Sequence, residues 1–517
     1  MSLFEKAIAG LSPRWAAERA RHRAVKAHFD AATVGRRAST LRADRTDADA
    51  AARTRMRMAW YARDMVRNTP FATRAQSVIA GGVVGDGILP KVEVKHPNVR
   101  GEFLKKLRGR GLSLIEKHLD TTAIDRQGRM NLYGLQRLVM NTVVDAGECL
   151  VRIYRDHPDA GALQLQIDVL ETDYLDESKF GWLADGSEIR DGIEYDPQGR
   201  RAAYWMYTEH PGGAWSPSTI RGLSQRIPAS DVLHIYRQDR PGQQRGVTWF
   251  APVMMRLQDL GDYDDAQLMR QKIAACFAAF VSASATEGGS TAEGTFNEMS
   301  PGMIYRLGEG EEVTFGAPPP VDGNDGFTRG VLRSTSMDLG ITYESLSGDL
   351  SQVNFSSARM GRLEMDQNIS SWQWLMLIPQ MLAPLSAEVV EAWATLDGAE
   401  FIRRGLPGDL WQHVALSWVP PRKVIVDPTR EISALADAVR AGFASRQQVV
   451  RQLGLDPERL REEISQDRAD AALLGVKFDS DPGVAPATKP PSEAEEILQD
   501  QLQSAAGARI VKLREKT

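Results

Sequence analysis

The sequence predicts an α+β fold, mainly helical and divided into several domains, with its β structure gathered in one stretch. Three observations lead there. Within residues 148–236, short runs rich in β-branched and aromatic residues alternate with turn residues. ECLVRIYRD and ALQLQIDVL flank HPDAG, while IEYD and RAAYWMY flank Pro-Gln-Gly, which is hairpin chemistry. Outside that stretch, apolar residues recur at helical spacing, as at Leu135, Leu138, Val139 and Val143. Finally, 517 residues at 42% hydrophobic and 25% charged are enough for several domains with sizeable cores.

Residues 1–75 read as helical, rich in Ala and Arg, with a break near Gly35 and a basic arm over 1–50. Gly81, Gly82, Gly85 and Gly87 mark a turn-rich passage into a strand, LPKVEVK. Helices are expected over about 100–120 and through NLYGLQRLVMNTVVDAG. A Pro/Gly/Ser segment at 211–230 interrupts the β stretch before a short strand, DVLHIYR. A helix is expected over 252–284, about 45 Å at 1.5 Å per residue, followed by strands in SPGMIYRL and EEVTFGAPPP.

Residues 325–375 read as helix, stop, loop and second helix, with Gly340 as the stop. The loop holds Ser347, Gly348, Asp349, Ser351, Gln352 and Asn354, too little apolar surface to pack down. Asn354 or Ser356 caps a helix from near Ala358 that carries Met360, Leu363, Ile369, Trp372 and Met376. Pro379 and Pro384 should break or kink it. Three short helices are then spelled out over 427–470. Asp427 and Pro428 start the first and Gly442 ends it. Ser445 and Gln448 form a capping box for the second, which Gly454 ends, and Asp456 and Pro457 start the third. A Pro-rich linker and a frayed tail are expected over 479–517.

Charge is unevenly distributed. Residues 1–75 hold 16 Lys/Arg against 7 Asp/Glu, leaving −14 on the rest of a chain whose net charge is −5. A basic arm on an acidic body suits contact with nucleic acid or an acidic partner, and equally a solvated helix pair. Cys149 and Cys276 both lie in apolar runs and read as core filler, consistent with a reducing compartment. The start of the chain lacks a signal-peptide layout, and AACFAAFVSASA and WLMLIPQMLAPL fall short of the ~20 residues of a membrane span. A soluble protein without membrane contact is expected.

Enzyme signatures are missing. There is no P-loop motif, G-x-S-x-G, H-E-x-x-H or paired C-x-x-C, and GGVVGDG lacks the dinucleotide-binding spacing. No catalytic residue, cofactor or metal site is expected. His234 reads as a structural histidine, and Asp259, Asp262, Asp264 and Asp265 as a solvated helix face. A Mg²⁺-dependent nuclease using Glu148, Glu171 and Asp173 would need those carboxylates to converge. The segment SRQQVVRQLGLDPERLREEI imitates a DNA-reading helix-turn-helix, but Glu458, Glu462, Glu463 and Asp467 would be repelled by phosphate. A monomeric nucleic-acid-binding protein using the arm and residues 445–467 is the other alternative.

Five blocks, in order, resemble the lambda-type portal proteins of tailed bacteriophages. They are ARDMVRNTPFATRAQSVIAGGVVGDGILP, GIEYDPQGRRAAYW, RPGQQRGVTWFAPV, LGITYESLSGD with NFSSAR, and VDPTREISALADAVRAGFASRQQVVRQLGLDPE. The resemblance implies a structural subunit of a ring, usually of twelve copies, at one capsid vertex. Double-stranded DNA passes through the ring in packaging and ejection. The implied partners are further copies of the chain, the terminase large subunit, major capsid and scaffolding proteins, and head-completion or neck proteins. The implied location is the virion, with host cytoplasm during assembly. On this reading the wing lies at 51–250, the stem helices at 252–284 and 326–341, and the clip at 285–325. The tunnel loop is 345–356, the long wing helix and its connection 357–426, and the crown 427–475. Arg359 and Arg362 would meet phosphate or an adjacent subunit.

Overall fold

In the computed structural model, the described residues are 48–49, 52–97, 99–156, 160–213, 223–275, 279–283, 311–315, 324–404, 407–421, 428–453, 455 and 457–476. The expectations placed on Gly35, Cys276, SPGMIYRL, Asp427, Gly454, Asp456, the 479–517 tail, and most of the arm and clip lie outside them. The chain divides into two units. In Met1–Ala51 with Arg240–Gln244, the Gln244 N–H donates to Asp49 at 3.1 Å. All elements named below belong to the other, Ala52–Asp239 with Arg245–Thr517.

Helices α1 (Ala52–Asn68) and α2 (Pro70–Val84) open this unit, with Pro70 starting α2 where a missing N–H costs nothing. Gly81 and Gly82 lie inside α2, so the turn expected there begins only at Gly85, where φ is 53°. The reason is packing. A Cβ on Gly82 would sit 2.7 Å from Ile369 Cδ1, so glycine permits the close approach of a later helix.

Strand β1 (Leu89–Val94) and helix α3 (Glu102–Leu114) follow, and α3 continues through a wide turn at Ile115–Leu119. Helix α4 (Leu132–Ala146) begins at Asn131, whose side chain accepts the Gly134 N–H at 3.0 Å. Leu135, Val139 and Val143 are buried on one face, as their spacing predicts.

The β stretch folds as two sheets. Strands β2 (Glu148–Tyr154) and β3 (Gln166–Leu170) pair antiparallel, and β9 (Val232–Tyr236) pairs with the other edge of β2. Strands β4 (Gly181–Trp182), β5 (Glu188–Arg190), β6 (Ile193–Tyr195), β7 (Arg201–Tyr207) and β8 (Ser224–Pro228) form an antiparallel meander in sequence order. Strand β8 falls in the segment expected to interrupt the sheet. A smaller core containing Leu150, Ile193, Tyr204 and Ile227 draws on both sheets, while Val151, Ile153 and Ile235 face the main core. Alternation along β2 therefore fills two cores at once.

Helix α5 (Met254–Ala275) is shorter than the helix expected over 252–284. Its predicted continuation is strand β10 (Ala279–Ala283), antiparallel to β11 (Glu311–Phe315), because Phe280 and Val281 suit a paired strand. Helix α6 (Asn324–Asp338), short α7 (Tyr343–Ser347) and α8 (Phe355–Trp372) come next.

Helicity then runs unbroken from Ser356 to Arg403, contrary to the expected break at the two prolines. Pro379 lies in a π-helical stretch, Gln373–Leu382, whose wider turns accommodate the missing N–H, and Pro384 sits in the first turn of α9 (Ala383–Arg403). By length and composition this run alone, among the described residues, matches a membrane span. Leu377, Met381, Leu382, Leu385 and Trp393 are buried in protein, the pattern of a core helix.

Strand β12 (Val414–Val419), unforeseen in sequence, pairs antiparallel with β1 from Leu89↔Val419 to Val94↔Val414. Helices α10 (Pro428–Arg440), α11 (Arg446–Gln452) and α12 (Pro457–Leu474) complete the described chain, with Gly442 at φ 78° after the first. Ser445 Oγ accepts the Gln448 N–H at 3.1 Å, as a cap requires.

Candidate functional site

The segment from α6 to α8 holds every site residue expected from sequence. Gly340 ends the approach to the loop in the left-handed conformation, φ 67°, and Asn368 Nδ2 donates to its carbonyl at 3.0 Å. The loop itself is tied down more than its polarity suggested. Residues 343–347 form helix α7, capped by Thr342, whose hydroxyl accepts the Ser345 N–H at 3.1 Å. Leu346, inside it, is 2% exposed and anchors the segment in the core. Ser347 Oγ donates to the Tyr343 carbonyl at 2.8 Å, and Gly348 closes the turn at φ 72°.

Asp349 organises the next turn. Its carboxylate accepts the Ser351 N–H at 3.0 Å and the Tyr343 hydroxyl at 3.2 Å, with Arg329 of α6 at 3.8 Å. The Ser351 hydrogen bonds, with Tyr343 and Arg329, hold this carboxyl below the usual carboxylate range, so it stays ionised. Ser351, Gln352 and Asn354 are exposed, as is Leu350 at 68%. Asn354 caps α8 in a reciprocal box: its Oδ1 accepts the Ser357 N–H at 2.8 Å, and Ser357 Oγ accepts the Asn354 N–H at 3.2 Å. The helix thus begins at Phe355, three residues before the expected start.

Arg359 and Arg362 both have carboxylates within their own chain. Arg362 pairs with Asp366 at 2.9 Å, and Arg359 lies 3.9 Å from Glu431 of α10. Sequence reasoning missed the residues that hold the loop, Arg74, Arg329 and Tyr343. Arg74 Nε donates to the Ser345 carbonyl at 3.0 Å across 271 residues of sequence, which no local pattern announces.

Helices α5 and α6 lie side by side. Arg256 donates to Ser334, and the Tyr263 and Phe327 rings stand 4.5 Å apart. Advancing seven residues on α5 retreats seven on α6, so the pair is antiparallel. Among its exposed side chains are four large apolar ones, Met255, Leu268, Met269 and Met337, at 50–79% exposed. On α8 and the turn after it, Met360, Leu363, Trp374 and Leu375 are likewise exposed. Asp259, Asp262, Asp264 and Asp265 are exposed, as expected of a solvated helix face.

The carboxylates of the nuclease alternative do not meet as a trio. Glu148, at the start of β2, is fully buried and fully used. It accepts Arg245 at 2.5 and 2.9 Å, His234 Nε2 at 2.9 Å and the Gly246 N–H at 2.8 Å. Burial alone would raise its carboxyl, but Arg245 and His234 outweigh that and hold it well below the usual range. Burial pushes His234 down to about 4 against the pull of Glu148, so the neutral ring donates its Nε2–H to that carboxylate. Arg245 also reaches Glu177 at 2.7 Å.

Gly147, at φ 92°, lets this hub close, since a Cβ there would sit 2.2 Å from the Val247 carbonyl carbon. Glu171 and Asp173 lie elsewhere, with His210 and Arg63, along a cleft of about 730 Å³. Arg63 pairs with Asp173 at 2.6 Å, and Trp60 Nε1 donates to the same carboxylate at 2.8 Å. Arg63 lies within 3.5 Å of both carboxylates and offsets part of their charge, which makes this a poor Mg²⁺ site.

The chain is similar to several known proteins. The model of the phage portal protein, lambda family, matches residues 34–373. The probable portal protein of Halomonas phage phiHAP-1 is 27% identical over 364 residues, 68% of each chain. Portal protein B of Escherichia phage lambda is 19% identical over 332 residues, 57% of this chain and 60% of that one. Among solved structures, the neck of a native gene transfer agent particle, computed with C12 symmetry, covers 78% of this chain and 94% of its own. It is 14% identical, with a TM-score of 0.46. A HK97-family portal protein from Corynebacterium diphtheriae matches at 9% identity and a TM-score of 0.32, over 73% of this chain and 96% of its own. With two thirds of its length matched by the family model, this chain belongs to the lambda family of phage portal proteins, structural proteins of the virion.

Proposed function

We propose that this chain is the repeating subunit of a ring, usually of twelve copies, at one capsid vertex. Double-stranded DNA crosses the ring without sequence-specific recognition. The terminase large subunit docks on it during packaging, scaffolding and major capsid proteins hold it in the shell, and neck proteins seal it afterwards. No cofactor, catalytic step or membrane contact is part of this reading.

The observation that carries it is the exposed apolar surface on α5, α6 and α8. Met255, Met337, Met360, Leu363, Trp374 and Leu375 face water in the single chain, and apolar surface gathered on neighbouring helices suits an interaction site. Burying each against a neighbour is worth roughly 1.5–3 kcal/mol before the costs of association. A second copy of the chain suits them, because a ring repeats one interface heterologously until it closes.

Within that ring the antiparallel pair α5–α6 supports the stem, residues 345–356 the tunnel loop, and α10–α12 the crown. The wing would hold 51–250 with the long helix from 357, and the clip 285–325. The loop from Ser347 to Asn354 has no Lys or Arg and one ionised Asp349. A lining of that kind lets a polyanion slide, whereas rings of Lys and Arg would hold it. Arg359 and Arg362, each already beside a carboxylate of its own chain, remain in this scheme the residues that meet phosphate or an adjacent subunit.

Deleting residues 348–354 tests the assignment. Rings of normal size with impaired packaging or retention of DNA are expected. DNA-filled heads of normal yield from the deletion would refute the role given to the loop.

A further inference from the structure

Two groups of three metal-ligating side chains form among the described residues. One is Glu171, Asp173 and His210, whose carboxylates are already engaged by Arg63 and Trp60. The other is His96, Asp409 and His413. Among the described residues, no cation pairs with its single carboxylate except the two imidazoles themselves. The two clusters differ in chemistry as well as in charge. Two imidazoles and one carboxylate suit a borderline transition ion, not the all-oxygen preference of Mg²⁺ or Ca²⁺.

The fold builds the second group from the ribbon of β1 and β12. His96 stands two residues after β1 ends at Val94, and His413 immediately precedes β12 at Val414. The Lys95 N–H donates to the His413 carbonyl at 3.0 Å, so the ribbon's last hydrogen bond holds these ends together. Asp409 precedes the single 3₁₀ turn Leu410–His413, which brings it beside His413.

The distances are those a metal needs. His96 Nε2 lies 3.3 Å from Asp409 Oδ1, and His413 Nε2 lies 3.7 Å from Asp409 Oδ2. One donor atom from each residue can be chosen so that all three lie within 4.8 Å of one another. Donors held at about 2.0–2.1 Å by a tetrahedral Zn²⁺ stand roughly 3.3–3.4 Å apart, so a small rotation of half-exposed His413 completes the geometry. The His96 side chain is 3% exposed and fixed from within, while those of Asp409 and His413 are 56% and 37% exposed and open the site to solvent.

We propose that His96, Asp409 and His413 form a binding site for a zinc-type divalent transition ion, with a fourth position open to water. Bound there, the ion joins positions 313 residues apart in sequence and clamps the open end of the β1–β12 ribbon. Spacing motifs could not reveal it, because only Asp409 and His413 are close in sequence.

The test uses full-length chain without a polyhistidine tag, stripped with EDTA, exchanged into chelator-free buffer and titrated with ZnCl₂. One equivalent per chain, with a raised thermal midpoint, is expected. His413→Gln and Asp409→Asn both alter exposed side chains and spare the fold. Each should weaken zinc binding by more than roughly 100-fold, since even outer-shell changes cost 10–100-fold. Glu171→Gln should leave binding unchanged. Absence of stoichiometric zinc on the wild-type chain would overturn the proposal and leave a hydrogen-bonded histidine pair only. Unaltered binding in the His413 and Asp409 variants, or its loss in Glu171→Gln, would overturn it too.

Discussion

Replacing Arg245 by Met and, separately, Glu148 by Gln probes the buried hub with unequal expectations. Both side chains are 4% exposed or less, so neither change is rescued by solvent. In Arg245→Met, Glu148 loses two charge-assisted hydrogen bonds and keeps only neutral His234 and the Gly246 N–H. A buried carboxylate stripped of its cation costs about 3–5 kcal/mol. In Glu148→Gln, Arg245 retains Glu177 at 2.7 Å, but the amide can accept on one side only, so its NH₂ meets either Arg245 or the His234 and Gly246 donors. That change should cost about 1–3 kcal/mol, the range for a buried donor left unsatisfied. Making both changes should recover roughly 2 kcal/mol relative to additivity, because the uncompensated charge is gone. Denaturant midpoints and thermal melts of the four proteins close the cycle. The midpoint of Arg245→Met should fall by roughly 3–5 °C, since a chain of this length shifts by only about 1 °C per kcal/mol. A cost below about 1 kcal/mol for Arg245→Met, or a larger one for Glu148→Gln, would refute the reasoning.

Two further outcomes concern pH. The folded His234 titrates near 4 and an unfolded one near 6.5, so the unfolded chain binds more protons between these values. Its contribution is present above about 6.5 and lost as pH falls towards 4, with the depressed Glu148 adding to the loss below about 4.5. In Asp145→Asn, which removes an opposing buried carboxyl, melting points measured from pH 7.5 to 4 should therefore decline, and a flat profile in that variant would contradict the hub's charge state. Asp145 behaves in the opposite sense. Burial, opposed by Arg63, raises its carboxyl to about 7, so ionising it costs stability as pH rises from about 4 to 7. Asp145→Asn keeps the acceptor that Gln76 Nε2 reaches at 3.1 Å. It should stabilise the chain by around 2 kcal/mol at pH 8 and by little at pH 4.5. Equal effects at both pH values would count against a perturbed Asp145.

How much of this was legible in the sequence depended on range. Local chemistry read well: Asn354 and Ser445 cap helices, Gly340 and Gly442 terminate helical segments, and Pro428 and Pro457 open α10 and α12. Errors arose where a distant partner decided the outcome. Gly81 and Gly82 spelled a turn, but packing of Ile369 against Gly82 keeps them helical. Pro379 spelled a break, but burial of Leu377, Met381 and Leu382 favours a widened helix over an interrupted one.

The candidate loop divides in the same way. Its polarity and its lack of positive charge were visible, whereas the anchors Leu346, Arg74 and Arg329 were not. One family block acquires a physical meaning from the structure. In RPGQQRGVTWFAPV, Arg245 and Gly246 lock onto Glu148, and Trp249 and Phe250 fill the main core beneath them. The carboxylates Glu148, Glu171 and Asp173 read alike in sequence, and only their cations separate them into a buried hub and a cleft wall.

The most direct test of the central claim is the mass and symmetry of the purified full-length chain, by native mass measurement and negative-stain imaging. At 57.1 kDa per chain, a closed ring of twelve would weigh about 685 kDa and show a central channel. Exchanging exposed Met337 and Met360 for Glu should shift that ring towards monomer without unfolding it. A chain that stays strictly monomeric, both alone and with its capsid and scaffolding proteins, would contradict the account.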